Sequence, residues 1–301
     1  MPSVSAIIVN YNAGRVLNEA VNLLLGSASV AKVIVVDNDS TDNSMDEIER
    51  LADSQSRLTC IRNNKNLGFA KACNIAIAAA GENDYLLFSN PDCLIDRDTL
   101  ETLLASMESS PEAGMAGPLI LNPNGTEQAG GRRTVPTPWR SFIRAFGLYE
   151  FRERYPRLFS DFLLHQQPLP DGPMETEAIS GACMLVRRDA MLDVGLLDEG
   201  YFLHCEDLDW CMRFHQRGWK IMFVPDARAI HQKGVCSKTR PVFVEWHKHK
   251  GMMRFYSKFF NHQYPGILLW IVGFGVWLRF GAMAISHSIR HLKQWLKHDH
   301  L

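Results

Sequence analysis

Val33-Ile34-Val35-Val36-Asp37-Asn38-Asp39-Ser40-Thr41-Asp42 is an apolar run that stops abruptly in acids and amides. Four β-branched residues with no polar alternation describe a strand buried on both faces. The polar cluster begins where such a strand leaves its sheet, and a helical pattern follows from Asp42 to Ala52. Ser40 or Thr41 can cap that helix. A cap needs one such residue, however, and two acids directly after a buried strand exceed that need. A carboxylate or amide at this point can also accept from the ring N–H of a pyrimidine base.

The same unit recurs on both sides. Ser5–Val9 is followed by Asn10-Tyr11-Asn12, and Tyr85–Ser89 by Asn90-Pro91-Asp92. Helical patterns separate the strands: Arg15–Leu25, Ala70–Ala80 and Asp96–Met107. Strand–helix alternation of this kind predicts an α/β fold, a mostly parallel sheet flanked by helices. Ligands of open parallel sheets bind at the carboxyl ends of the strands, so three polar clusters at three strand ends converge on one crevice. Ser180 to Val186 reads as a further strand, Glu206–Gln216 as a helix closed by Gly218, and Trp219–Val224 as a last strand. Between Asn122 and Met174 the chain is rich in Pro and Gly and shows no clean strand. There Arg132, Arg133, Arg140, Arg144, Arg152, Arg154 and Arg157 interleave with Trp139, Phe142, Phe146, Tyr149 and Phe151. That segment reads either as a solvated basic surface or as a surface for an anionic acceptor.

Composition narrows the class. With 301 residues, 46% hydrophobic and 22% charged, the chain is an ordinary globular one and neither disordered nor fibrous. A formal net charge of -1 gives no bulk field toward nucleic acid, so no nucleic-acid partner is expected. Seven scattered Cys without a Cys-x-x-Cys pair suggest free thiols in a reducing compartment. The N-terminus lacks a signal-peptide pattern, which predicts that this route of secretion is not used. No dinucleotide glycine fingerprint, P-loop or nucleophile elbow occurs.

Four further groups carry chemistry. Asn90-Pro91-Asp92 is either a plain Asn-Pro turn or a loop whose carboxylate holds a divalent cation. Glu206-Asp207-Leu208-Asp209 puts three acids in one helical turn, more than the helix dipole calls for, after the strand-like run Gly200–Leu203. One of them can act as general base on a hydroxyl. Cys211 and His215 stand i, i+4 and invite a zinc reading, with no second ligand pair in view. His231, after the last strand, reads as structural unless it returns to a metal held by Asp92.

In order, Val9–Asn12, Val36–Asp42, Asn66-Leu67-Gly68-Phe69-Ala70, Asn90-Pro91-Asp92, Ser180-Gly181-Ala182, Glu206-Asp207-Leu208-Asp209, and His231 with Gly234 and Ser237 resemble the inverting glycosyltransferases of family 2, with the GT-A fold. Asn-Pro-Asp and Gly130-Gly131-Arg132-Arg133 resemble the bacterial rhamnosyltransferase branch. The usual metal motif of that fold is Asp-x-Asp; here Asn90 takes its first place and leaves one carboxylate. The resemblance implies transfer of a sugar, rhamnose favoured, from a nucleoside-diphosphate sugar such as dTDP-rhamnose to a glycan or lipid-linked saccharide in cell-surface polysaccharide synthesis. Asn10, Asp37, Asn38, Asp39, Asn66, Gly68, Lys71 and Asn90 would serve the nucleotide sugar. Asp92 and His231 would hold Mg²⁺ or Mn²⁺ on the diphosphate, stabilising the leaving group. Asp207, with Glu206 as the alternative, would take the acceptor's proton. Ser180, Gly181, Asp209, Arg132 and Arg133 would face the acceptor. A nucleotidyltransferase on a related fold, or an inactive membrane-bound partner that binds sugar nucleotides, are the rival readings.

The resemblance divides the chain into a GT-A domain over 1–262 and membrane-associated helices over 263–301. Pro265–Ser286 is apolar with Arg279 its only charge, and as a helix is about 33 Å long, enough to cross a bilayer. Lys248, Lys250, Arg254 and Lys258 precede it, and Arg290, Lys293 and Lys297 follow it, so charge selects no orientation. Ile285, Ile289, Leu292 and Leu296 form one stripe, as in an interfacial helix. The expectation is an interfacial or re-entrant segment at the cytoplasmic face of a bacterial inner membrane. A buried hairpin or a homodimer contact is the alternative.

Overall fold

A computed structural model describes residues 2–232, 234, 240–264 and 266–298. Ser237, part of the resemblance, lies outside the described residues, as does Pro265. The first half is a string of strand–helix units: β1 (Val4–Asn10), α1 (Val16–Leu25), β2 (Val30–Asp37), α2 (Ser44–Ala52), β3 (Leu58–Arg62), α3 (Phe69–Ala79) and β4 (Tyr85–Ser89). Next come β5 (Cys93–Leu94), α4 (Arg97–Ser109), β6 (Ala113–Leu121), β7 (Arg132–Arg133) and α5 (Pro138–Ala145). The chain continues through β8 (Met174–Glu175), β9 (Ala178–Ile179), β10 (Cys183–Arg187), α6 (Arg188–Val194), α7 (Glu206–Gln216), β11 (Lys220–His231), α8 (Pro241–Phe260) and α9 (Gly266–His298).

The strands form one sheet in the order β3-β2-β1-β4-β10-β6-β11-β5, with β8 beside β11; β7 and β9 make a separate small ribbon. The β3-β2-β1-β4 half is parallel, as the alternation predicts. The other half is mixed, because β10 enters antiparallel between β4 and β6. All seven residues of β1 and all five of β4 are buried, so continuous apolar runs do mark strands covered on both faces. Strands β3 and β6 escape the sequence reading. In β3 only Leu58 is fully buried, and β6 carries Gly114, Gly117 and Pro118. Gly117 is needed there: a Cβ would stand 2.8 Å from the Ile179 side chain. The aromatic run at Gly200–Leu203 is no strand but irregular loop.

Two apolar layers cover the sheet. One lies under α1, α2 and α4, the other under α3, α7 and α8. In the second, Trp210 meets Phe88 and Phe214 edge-to-face at 5.2 and 5.5 Å. Cys60, Cys73, Cys93, Cys183, Cys205 and Cys211 are free thiols.

Helix α9 is one uninterrupted helix of 33 residues. A segment that enters a bilayer and returns needs a break near its middle, so the re-entrant expectation fails. Its stretch Leu269–Ser288 is long and apolar enough to cross a membrane. One side of it is covered by α8: Trp246 meets Trp277 and Phe280 at 4.9 and 5.4 Å, and a Cβ at Gly273 would stand 3.0 Å from Met253. The predicted stripe beyond Ile285 (Ile289, Leu292, Leu296), and Arg290, Lys293 and Lys297, lie outside the described side chains.

Candidate active site

Parallel register puts Asn10 beside Asp37 at the carboxyl ends of β1 and β2. Asn10 Nδ2 donates to Asp37 Oδ1 (2.9 Å) and stands 3.0 and 2.8 Å from Ser40 and Ser44 Oγ. Ser40 Oγ accepts from the Asn12 amide, and Asn12 Oδ1 from the amides of Thr41 and Asp42. Neither Ser40 nor Thr41 caps α2, whose first residues follow Asn43 with no side-chain cap. Asn38 is buried and fully engaged: Nδ2 donates to Asn66 Oδ1 and Gly68 O, and Oδ1 accepts from Asn63 and Leu67. Asn10 and Asn38 therefore build the floor of the crevice and have no free polar atom to offer a base. Asp39 is the exposed member, on a left-handed backbone (φ 69°). The loop they hold ends at Gly68, whose φ of 85° and ψ of 166° suit only glycine. There Phe69 N donates to Phe202 O (2.8 Å), tying the start of α3 to the loop before α7.

On the other side of the crevice, β5 pairs antiparallel with the end of β11, placing Cys93 opposite His231. This brings His231 Nε2 to 3.2 Å from Asp92 Oδ1, with Asn90 Nδ2 3.4 Å away. Gln128 fixes the imidazole. Its Nε2 donates to Asn122 Oδ1 and His231 O, so Oε1 is the atom that accepts from His231 Nδ1 at 2.7 Å. In the neutral ring the lone pair then sits on Nε2, which can accept from Asn90 Nδ2 and stands 3.2 Å from the Asp92 carboxylate. Two lone pairs at that distance call for a cation or a proton between them. Asp92 and His231 thus fit a divalent metal with two protein donors, the remaining positions suiting substrate oxygens and water. Among the described residues no group of three His, Cys, Asp or Glu gathers as a metal site, here or elsewhere. Cys211 is buried beside Met115, and His215 Nε2 lies against Glu177 O, so this pair holds no zinc.

The acidic turn opens α7. Two successive residues before it, His204 and Cys205, adopt left-handed backbone (φ 68° and 71°), a strained entry of the kind that concentrates at functional sites. Asp207 Oδ2 accepts from Gly181 N (3.0 Å) and from the Arg133 guanidinium, and Oδ1 from Leu208 N (2.8 Å). Gly181 leaves little room for a side chain, since a Cβ would stand 3.2 Å from Asp207 Cβ and push it by a few tenths of an ångström. The next residue, Ala182, accepts from Asn90 N at 3.0 Å. Asp207 is therefore joined to the Asn90–Asp92 loop through a single short strand entrance. Glu206 points the other way, into the protein. It is buried, Oε2 has no partner among the described residues, and burial together with the nearby Asp207 charge raises its pKa to about 8. Glu206 is thus held neutral near pH 7, beside the Asp207–Arg133 ion pair.

Residues 5–193 match the sequence profile of Glycosyl transferase family 2. The chain belongs to that family. This glycosyltransferase is 28% identical over 302 residues, 97% of its own chain and 96% of the relative, to the N-acetylglucosaminyl-diphospho-decaprenol L-rhamnosyltransferase of Mycobacterium tuberculosis. It is 25% identical to the dTDP-rhamnosyl transferase RfbF of Shigella flexneri, over 84% of this chain and 77% of that one. Among solved structures, the mannosyltransferase of Pyrobaculum calidifontis, in complex with GDP-Man and Mn²⁺, superposes with a TM-score of 0.58 at 16% identity. That match covers 96% of this chain and 75% of the other, and at such identity it is a likeness of fold.

Several residues expected at the site of this glycosyltransferase serve elsewhere. Asp209 is wholly buried, with Arg213 on one oxygen (2.7 Å) and Lys258 on the other (2.6 Å); it locks α7 to α8 and cannot meet an acceptor. Arg132 is buried against Glu127 and the carbonyls of Gln167 and Pro168, so it ties loops together and is not offered to an acceptor. Ser180 Oγ accepts from Ala182 N and forms the turn that presents Gly181. Arg133 grips Asp207 directly, and its buried Nε is unpartnered among the described residues. The Lys71 ammonium is 3.4 Å from Glu199, so its charge is already paired. Sequence reasoning missed Gln128, which sets the His231 tautomer, and Phe202, whose carbonyl anchors α3. Neither residue type in isolation carries a chemical signal.

Proposed function

We propose that this glycosyltransferase moves a sugar, rhamnose favoured, from a nucleoside diphosphate (dTDP-rhamnose favoured) to a hydroxyl of a lipid-linked saccharide, with inversion. One observation carries the reading: the Gly181–Ala182 entrance links Asp207 to the loop that bears Asp92. A carboxylate held at that point faces the sugar carbon whose bond to phosphate is broken beside Asp92 and His231. Asp207 accepts the acceptor's proton while the hydroxyl attacks the face opposite the diphosphate. Arg133 and Gly181 N hold the carboxylate in place for that approach. The exposed Asp39 carboxylate meets the base or ribose, and the Asn10–Asn38 floor fixes its position. Mg²⁺ or Mn²⁺ held by Asp92 and His231 would neutralise the charge of the departing diphosphate. The M. tuberculosis and S. flexneri relatives support rhamnose and a polyprenyl-diphosphate acceptor.

The covered inner side of α9 favours a helix lying on the membrane over one crossing it, with the protein at the cytoplasmic face, where nucleotide sugars are made. The test is transfer from dTDP-rhamnose to a polyprenyl-diphosphate sugar in detergent. Product is expected with the native chain. Asp207→Asn should bind donor normally and lose about two to four orders of magnitude in turnover. Near-normal turnover of Asp207→Asn would overturn the assignment.

A further inference from the structure

The segment after β7 exposes a continuous aromatic face that the proposed reaction does not use. Trp139 and Phe142 on α5 and Phe146 just past its end form one row; Trp139 stacks on Phe142 at 5.6 Å, and Phe142 meets Phe146 at 4.6 Å. Phe146 is 68% exposed and the other two more than 40%. The chain that follows adds Phe151, Tyr155 and Leu158, all exposed, and Trp139 Nε1 donates to Leu158 O (2.8 Å), joining the two parts. Single exposed apolar residues are ordinary, but a contiguous aromatic set on a monomer marks a surface that meets something.

Charge says what it meets. Arg140 and Arg144 are paired, with Glu177 and Asp161. Arg154 and Arg157 are exposed and Arg152 half-buried; none of the three has a carboxylate partner among the described residues. Glu150 and Glu153 are the only acids between Thr137 and Ser160, against five arginines. Aromatic side chains amid unpaired cations suit the headgroup region of an anionic bilayer, and a second protein's apolar face would leave those cations stranded. The patch also adjoins α9: α5 packs against it, and Tyr256 on α8 donates to Ser141 Oγ on α5 (2.6 Å). Helix α9 presents its own exposed stripe of Ile267, Trp270, Ile271, Phe274, Leu278 and Ile285.

We infer that α5 and the following turn are a second membrane contact, which docks on anionic lipid beside α9. It rests on the proposed lipid-linked acceptor only for its purpose. Arg133, which grips Asp207, lies five residues before α5, so docking there sets the base close to the bilayer surface from which such an acceptor's hydroxyl must rise.

The experiment uses the full chain and vesicles of phosphatidylcholine, alone or mixed with phosphatidylglycerol. Trp139→Ser/Phe142→Ser/Phe146→Ser, with α9 intact, should weaken binding to the mixed vesicles by about tenfold or more. Arg152→Gln/Arg154→Gln/Arg157→Gln should weaken binding to the mixed vesicles alone, and so remove the preference for anionic lipid. Both variants should keep native transfer to a short-chain acceptor in detergent and lose it for a long-chain acceptor in vesicles. Vesicle affinity equal to native in both variants overturns the inference. So does a shift from dimer to monomer in sedimentation with vesicle binding unchanged, which would make the patch a contact between copies. Vesicle binding is read without donor or acceptor, so failure of the rhamnose or acceptor assignment leaves this result readable.

Discussion

Replacing Glu206 by glutamine isolates the cost of burying an acid with nothing to pair it. In the folded chain Glu206 keeps its proton up to about pH 8, whereas the ordinary value is 4.5. Between those values the unfolded chain has released a proton that the folded chain still holds, so stability falls as pH rises. The facing groups are Asp207 on its own helix, Arg133 on β7 and the Cys73 thiol on α3. Each pH unit in the window is worth at most about 1.4 kcal/mol, and water reaching the carboxylate on ionisation limits the whole loss to about 2–4 kcal/mol. The amide of Glu206→Gln fills the same space and has no proton to lose. At pH 5 the two proteins should melt within a degree or two of each other. By pH 8 the variant should melt about 4–16 °C higher, at roughly 2–4 °C per kcal/mol for a chain of this size. The assay is thermal unfolding from pH 5 to 8 followed by tryptophan fluorescence. Parallel curves for the two proteins would refute the reasoning, because they would mean that Glu206 is ionised or solvated throughout.

Chelation should abolish transfer, and Asp92→Ala should remove the Mn²⁺ dependence of donor affinity, both read by titration calorimetry; His231→Ala should act as a milder copy. Gln128→Leu leaves both donors in place but frees the imidazole, and should weaken Mn²⁺ binding by about tenfold to a hundredfold. Gly68→Ala forces a Cβ to 2.6 Å from Phe202 O on a backbone that only glycine tolerates; it should cost at least about 2 kcal/mol in denaturant unfolding and reduce donor affinity. Gly181→Ala pushes Asp207 by a few tenths of an ångström, so kcat should fall by about threefold to tenfold while the donor dissociation constant holds.

What the sequence determined is what local physics writes. Runs such as Val33–Val36 and Tyr85–Phe88 have no polar side and can only be doubly covered strands, and the polar clusters must then emerge where those strands end. Helix α7 was legible to the residue because its acids, its apolar spacing and Gly218 all lie within one stretch. The candidate site was legible as residue types in order, with Asp37 and Asp39, Asp92, Asp207 and His231 all marked. Their division of labour was not. Asp207 and Asp209 are two positions apart in the same acidic turn. Only the packing of α8, which brings Lys258 against one of them, and of the β7 ribbon, which brings Arg133 against the other, makes one structural and leaves the other at the crevice. Asp92 and His231 are separated by 139 positions, and nothing local joins them. The two-residue pairing of β5 with β11 does so, and Gln128 then decides which nitrogen holds the proton. Buried charge and hydrogen-bond partners depend on what lies across the fold, and that is set by tertiary packing and invisible to spacing along the chain.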